Sequence, residues 1–258
     1  MKFAIIRPLW KFAFAICCAL IISGCAGTTQ KEDDQQDKLA SLHYQIGVDA
    51  LNKGKLPKAF DELITSDTMR PNQPEVLDAL AYAWLLRGDL EKSEAHYRKS
   101  LHIKALASTQ NNFANLLNKM GRYAEAEAMA RKALNDPRYP NQDFAFINLG
   151  DALLGQDKFD EAIRSYGQAQ LFNSKNILPQ LKVANAYLRH DRLHEARALY
   201  KTLLLQNGDS RVVVMGLLEV LKKQDEQAEA RRVLTQFSQQ AKSDEDKAWA
   251  AIELERLR

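Results

Sequence analysis

Residues 143–173 read DFAFINLGDALLGQDKFDEAIRSYGQAQLFN. Bulky residues surround Gly150; a turn residue, Asp157, follows seven positions later, and a small one, Ala162, follows twelve positions later. This is the plan of a helical hairpin, because two helices approach closely only where side chains are small, and the chain between them must reverse. The same offsets recur along the chain. With Gly150 as anchor, the equivalent positions are Gly47, Ala81, Ala114, Ala184 and, less well, Leu218, and the successive spacings are 34, 33, 36, 34 and 34 residues. Seven residues after each anchor stand Gly54, Gly88, Gly121, Asp157, Asp191 and Asp225. Twelve residues after each stand Ala59, Ser93, Ala126, Ala162, Ala196 and Ala230.

Self-similarity at such a period marks a repeat architecture. The pattern resembles the tetratricopeptide repeat. The expected fold class is therefore all-α: a right-handed tetratricopeptide-repeat superhelix of about six helix pairs plus a C-terminal capping helix. The prolines agree with this register. Pro57, Pro74 and Pro179 fall in first turns of helices, Pro71, Pro137 and Pro140 fall between repeats, and a helix interior tolerates none. The register predicts helix pairs at 40–70, 74–104, 107–135, 143–172, 177–206 and 211–239. A capping helix at 243–258 carries Ala248, Trp249, Ile252 and Leu257 on one face.

The first residues read differently. Lys2, Arg7 and Lys11 precede an apolar run from Phe12 to Ile22, followed by Ser23, Gly24 and Cys25. The run is shorter than the roughly 20 residues that span a bilayer. Ile22-Ser23-Gly24-Cys25 resembles the bacterial lipobox, which implies removal of residues 1–24 and lipidation of Cys25. Acyl chains each contribute about 0.8 kcal/mol per buried methylene, so several of them anchor a chain durably. Ala26 stands where an aspartate would favour inner-membrane retention, so the resemblance implies a lipid anchor in the outer membrane of a Gram-negative bacterium, facing the periplasm. Residues 25–38 are polar and aperiodic and read as a lipidated flexible tether, with the repeat domain at 39–258.

Composition narrows the function. The chain has 36 Lys and Arg against 33 Asp and Glu, and three of the cations lie in the leader, so the remainder is formally neutral and offers no basic footprint for nucleic acid. All three cysteines fall within the first 25 residues, which leaves the body without a disulfide framework, a metal knuckle or a cysteine nucleophile. No phosphate-binding glycine loop and no GxSxG elbow occur. His194-Glu195 opens an HExxH pattern, but Ala198 stands where the second histidine belongs, and His190 lies across a turn from His194. No metal site, cofactor, small-molecule substrate or catalytic constellation is expected, and the chain reads as a binding protein rather than an enzyme.

In such repeats the first helix of each pair lines an inner surface. Counting three residues before, and one and four residues after, each anchor gives the inner-face positions, Asp151, Met215 and Glu219 among them, of which Tyr82, Asn111, Asn115, Asn118, Ile147, Leu154, Leu181, Asn185 and Leu188 form the predicted partner-binding groove. Phe144, one turn earlier on its helix, joins them. The asparagines would pair with the backbone of an extended or helical peptide, while Phe144, Ile147 and Leu181 accept its apolar residues. These side chains would then be dispensable for folding. The competing expectation is that some of them contact the neighbouring superhelical turn or the linker.

The middle of the chain is more specific. Asn111-Asn112-Phe113, Gly121-Arg122-Tyr123, Glu125-Ala126-Glu127, Ala133-Leu134, Asp136-Pro137-Arg138-Tyr139-Pro140 and Asn148-Leu149-Gly150 resemble the type IV pilus biogenesis and stability lipoproteins, the pilotins. The resemblance extends to their plan of lipidated cysteine, tether and six repeats. It implies a protein that binds subunits of the outer-membrane secretin and promotes their outer-membrane localisation and multimerisation for type IV pilus biogenesis. Many pilotins carry a cysteine pair in the third and fourth repeats, where this chain has Asn118 and Ala152. The alternative is a periplasmic scaffold lipoprotein that recruits peptidoglycan hydrolases or proteases to the envelope.

Overall fold

The computed structural model describes residues 33–206 and 208–257, so the leader and Cys25 lie outside the described residues. Among the described residues the chain is helical throughout, without strands. Helix α1 runs from the first described residue, 33, to 52. It is followed by α2 (Leu56–Met69), α3 (Pro74–Arg87), α4 (Leu90–Ile103), α5 (Ala107–Lys119), α6 (Tyr123–Leu134), α7 (Gln142–Gly155), α8 (Phe159–Phe172), α9 (Leu178–Arg189), α10 (Leu193–Gln206), α11 (Arg211–Lys223), α12 (Gln227–Gln240) and α13 (Asp244–Arg256). The helices form six pairs and a closing helix. They divide into two compact units, Met1–Lys104 and Ala105–Arg258.

The reversal within every pair is made by one residue in the left-handed region. Gly54, Gly88 and Gly121 have φ of 67°, 89° and 73°, and Asp157, Asp191 and Asp225 have φ of 60°, 56° and 58°. These are the six turn positions that the repeat spacing predicts. Glycine adopts this conformation without strain and aspartate tolerates it better than most residues.

Close approach of the paired helices comes from the anchors and from the residues twelve and sixteen positions beyond them. Ala59, Ser93, Ala126, Ala162 and Ala196 are fully buried, and so is a second row, Leu63, Tyr97, Ala130, Tyr166, Tyr200 and Leu234. Two of this row, Leu63 and Tyr166, lie directly over their anchors. A Cβ added at Gly47 would stand 2.7 Å from Leu63 Cγ, and one at Gly150 would stand 2.4 Å from Tyr166 Cε1. Ser93 keeps the spacing of an alanine because its hydroxyl donates to the Ala81 carbonyl at 2.8 Å, which satisfies the buried oxygen.

In the first unit, α1 begins earlier than its sequence indicates. Residues 33–38, expected to belong to the flexible tether, are helical. Gln36 Nε2 donates to the Met69 carbonyl at 2.9 Å, Asp37 pairs with Arg70 at 3.1 Å, and Ser66 Oγ donates to the Ala40 carbonyl at 2.8 Å. Polar bonds to the end of α2, rather than apolar burial, hold this turn in place. The core below it gathers Leu51, Phe60, Leu63, Val76 and Leu80.

In the second unit each second helix packs on the first helix of its own pair and on the first helix of the next. Consecutive first helices α5, α7, α9 and α11 also pack against one another, and among the described residues no comparable packing joins consecutive second helices. The tighter row lies on the inside of the bend, so the first helices line a concave face in this unit. The long junction between α6 and α7 buries Tyr139 against Ala133 and Ala145, which explains the 36-residue spacing of that repeat. Closing helix α13 starts at an N-cap, Ser243, and sets Trp249 edge-on to Phe237 at 5.5 Å.

Two tests follow from this geometry. Gly121 has a positive φ and nothing within 4 Å of a built Cβ, whereas Gly167 sits in helix α8 with equally open surroundings. Gly121→Ala should therefore destabilise by about 1 kcal/mol through backbone strain alone. Gly167→Ala should stabilise by roughly 0.5–1 kcal/mol. Urea unfolding of both variants against the parent would check the opposite signs.

Glu127 on α6 supplies the second test. It accepts hydrogen bonds from Arg131 at 2.9 Å, Gln156 at 2.9 Å and Lys158 at 3.0 Å, tying α6 to the turn between α7 and α8. Burial acts to raise its pKa, but the bonds from Gln156, Lys158 and Arg131 outweigh it and hold the carboxyl at about 2, below the ordinary 4.5. With the folded value the lower one, the stability this group contributes is present above pH 4.5 and is lost as pH falls towards 2. Glu127→Gln should flatten the dependence of the unfolding midpoint on pH across that window.

Candidate functional site

The inner face of the second unit has two levels. The deeper one is packed between neighbouring first helices. Ile147 and Leu154 on α7, and Leu181 and Leu188 on α9, are buried, and so is Asn111 on α5. The shallower level holds Asn115, Asn118 and Asn185, which are half-buried, and Phe144, which is 46% exposed. Tyr82 belongs to the first unit, where it is exposed on α3 one residue past its anchor. The predicted groove therefore splits. Ile147, Leu154, Leu181 and Leu188 are core rather than floor, because adjacent first helices pack against each other and close over them.

The asparagine cluster is a stitch between α5 and α7. Asn148 Nδ2 donates to Asn111 Oδ1 at 2.8 Å and to the Asn111 carbonyl at 3.2 Å, and Asn118 Nδ2 donates to the Asn148 carbonyl at 2.9 Å. Asn111 is buried in this stitch, and Asn118, half-buried, gives it one amide hydrogen. Asn118 also stands where the pilotin resemblance expects a cysteine, and here its amide joins the two repeats.

Further along the inner face, the buried tyrosines reach through to the surface. Tyr166 on α8 donates to Asp151 Oδ1 at 2.8 Å, and Asp151 Oδ2 pairs with Lys182 at 2.7 Å. Burial first, and then the charge of Asp151, raise the Tyr166 pKa far above the ordinary value, so the hydroxyl remains a donor. Tyr200 on α10 donates in the same way to Asn185 Oδ1, and burial pushes its pKa up, helped by Glu219. Several polar groups of the floor are thus bonded to one another, while Asn118 Oδ1 is buried without a partner among the described residues.

What stays open is an apolar band at the start of the first helices. Six residues ahead of the anchors stand Phe144, half-buried Leu178 and Val212, the last 58% exposed. Met215, three residues ahead of Leu218, is 50% exposed. Leu178 and Val212 escaped the predicted set, although the offset that singled out Phe144 finds both when applied to the later repeats. A separate cavity of about 610 Å³ opens between α11, α12 and α13, lined by Leu218, Leu221, Leu234, Glu253, Arg256 and Leu257, and holds none of the predicted residues. His190 lies against Phe159, the rings tilted by 54° with centres 4.5 Å apart.

Comparison with known proteins agrees with this geometry. Family patterns described as tetratricopeptide repeats match residues 74–99 and 105–170. These helix pairs are tetratricopeptide repeats. The solved structure of pilF from Pseudomonas aeruginosa is 20% identical, with a TM-score of 0.66, and the match covers 85% of this chain and 99% of that one. The structure of PilW, described as a widely conserved type IV pilus biogenesis factor, is 18% identical with a TM-score of 0.71, covering 81% of this chain and 97% of that one. By sequence, the cellulose synthase operon protein C of Pseudomonas fluorescens strain SBW25 is 24% identical over 215 residues, or 76% of this chain. The match spans 16% of that relative's length. What these likenesses share is the repeat fold, a scaffold for protein–protein interaction.

The two levels of the inner face respond differently to substitution. Asn148→Ala should cost about 1–3 kcal/mol, because it leaves the Asn111 oxygen buried without its donor. Leu181→Ala should cost roughly 2–5 kcal/mol as a core cavity. Phe144→Ser and Val212→Ser should each stay within about 0.5 kcal/mol of the parent. Thermal unfolding of the four variants would separate core from open surface.

Proposed function

We propose that this chain is an outer-membrane lipoprotein that acts as a pilotin, binding secretin subunits and promoting their localisation and multimerisation for type IV pilus biogenesis. The observation that carries the reading is the exposed apolar surface on the inner face of tetratricopeptide repeats whose fold matches nearly the whole of pilF and of PilW, the latter described as a type IV pilus biogenesis factor. The pilotin-like residues between Asn111 and Gly150 support it, and so does the lipobox at Ile22–Cys25. In this reading Cys25 carries the lipid, and α1 is already helical at Asp33. The acyl chains supply the membrane address and the inner face supplies recognition.

The test is genetic and biochemical. Deleting the gene should leave secretin present but largely monomeric or misplaced, with pili lost. Cys25→Ser should abolish lipid labelling and release the protein from the outer membrane or leave its precursor uncut. Normal amounts of detergent-resistant secretin multimers in the deletion strain would sink the pilotin reading and favour the envelope scaffold.

A further inference from the structure

Two positions on a first helix, five residues and one residue ahead of the anchor, meet the second helix of the preceding pair. They are Val76 and Leu80 on α3, Ala145 and Leu149 on α7, and Val213 and Leu217 on α11, all buried where these helices pack on α2, α6 and α10. On α1 the same two positions hold Leu42, which is 49% exposed, and half-buried Ile46. Leu39, one turn before Leu42, is 42% exposed. Single apolar residues on a surface need no partner. Here, however, α1 carries the residues of a helix–helix contact, and that contact is open.

Charge identifies what covers it. Asp34, Lys38, Leu42, Ile46, Asp49 and Lys53 are spaced by three or four residues and so share one stripe along α1 and the turn that follows it. All four charged members are exposed, and the neutral Gln35, Ser41 and Gln45 flank the apolar centre. Asp37 lies off the stripe on Arg70, His43 is turned to Glu62 on α2, and Asp33 is half a turn away. From end to end the stripe reads minus, plus, apolar, apolar, minus, plus. Reversed, it reads plus, minus, apolar, apolar, plus, minus. A second copy laid antiparallel therefore sets Lys38 against Asp49, Asp34 against Lys53 and Leu42 against Ile46, whereas a parallel copy sets each charge against its like. Within one chain Asp49 already holds Lys53 at 2.8 Å, and Asp34 and Lys38 of the other copy would complete a group of alternating charge around that pair. We infer that this face of α1 joins two copies of the chain as an antiparallel helix pair, about a two-fold axis between Leu42 and Ile46. The inference goes beyond the pilotin reading and does not depend on it.

Sedimentation equilibrium of the full-length protein in mild detergent tests this. One helix face buries less than a standard interface, so dimers should form with a Kd of about 1–100 μM. Leu39→Ser combined with Leu42→Ser should weaken association by about tenfold or more. Helix content and thermal midpoint should be unchanged, because both side chains are exposed. Lys38→Glu alone, or Asp49→Lys alone, should weaken association by about threefold or more, since the two-fold axis repeats the contact. The two changes together set opposite charges face to face again, and should bring the Kd back to within about twofold of the parent.

A chain that stays monomeric up to about 0.5 mM would overturn the inference and leave the face to another occupant. Dimers that survive the serine pair would overturn it too, because their contact lies elsewhere in the chain. Dimers indifferent to Lys38→Glu and to Asp49→Lys would end the antiparallel arrangement, as a parallel pair meets its like charges before and after either change. A double charge variant no tighter than its parents would have the same force, since charges that do not meet cannot compensate one another.

Discussion

The contact between Gly150 and the Tyr166 ring sets the separation of α7 and α8, and its counterparts set the separation of the other pairs. A ring lying on bare backbone removes apolar area from water without a gap between the helices, and any Cβ at the glycine would meet the ring. The rows of small and large residues are therefore complementary parts of one joint. Where the anchor is alanine, as at Ala184, the ring of Tyr200 instead closes on Gly216 of the next first helix, where a Cβ would stand 2.3 Å from Tyr200 Cε1. Small residues ahead of the anchor can thus serve the junction between repeats as well as the pair itself.

The same joint shapes the inner face. A tyrosine long enough to cover the anchor carries its hydroxyl past the core to the far side of the first helix, where Asp151 and Asn185 accept it. A buried hydroxyl without a partner is costly, so Asp151 and Asn185, each the residue after its anchor, are drawn into holding Tyr166 and Tyr200. The middle of the face is consumed by structure and its N-terminal edge is left open. The exposed apolar surface of these first helices lies at Phe144, Val212 and Met215.

Much of this architecture was legible in the sequence because it depends on periodic steric requirements. The spacing located the six left-handed turns within the pairs, though not the one at Asn72 between pairs, and the predicted helix pair at 143–172 differs from α7 and α8 by one residue at its start. The site was less legible. Leucine or asparagine at a given offset reads as floor or core according to how near the neighbouring first helix lies, and that distance is a tertiary quantity. Asn111 and Asn118 looked like groove amides because nothing in their composition shows that Asn148 stands opposite. Residues 33–38 looked like tether because polar bonds to Met69 and Arg70, without apolar periodicity, make them helix.

Those bonds have a mechanical meaning. A load applied at Asp33 enters α1 where Gln36, Asp37 and Ala40 are fastened to Met69, Arg70 and Ser66 at the end of α2. The antiparallel partner takes up part of the load within two turns of the entry point. Pulling therefore shears several polar bonds together instead of peeling α1 away one residue at a time, and the first helix pair resists force as a single clamp.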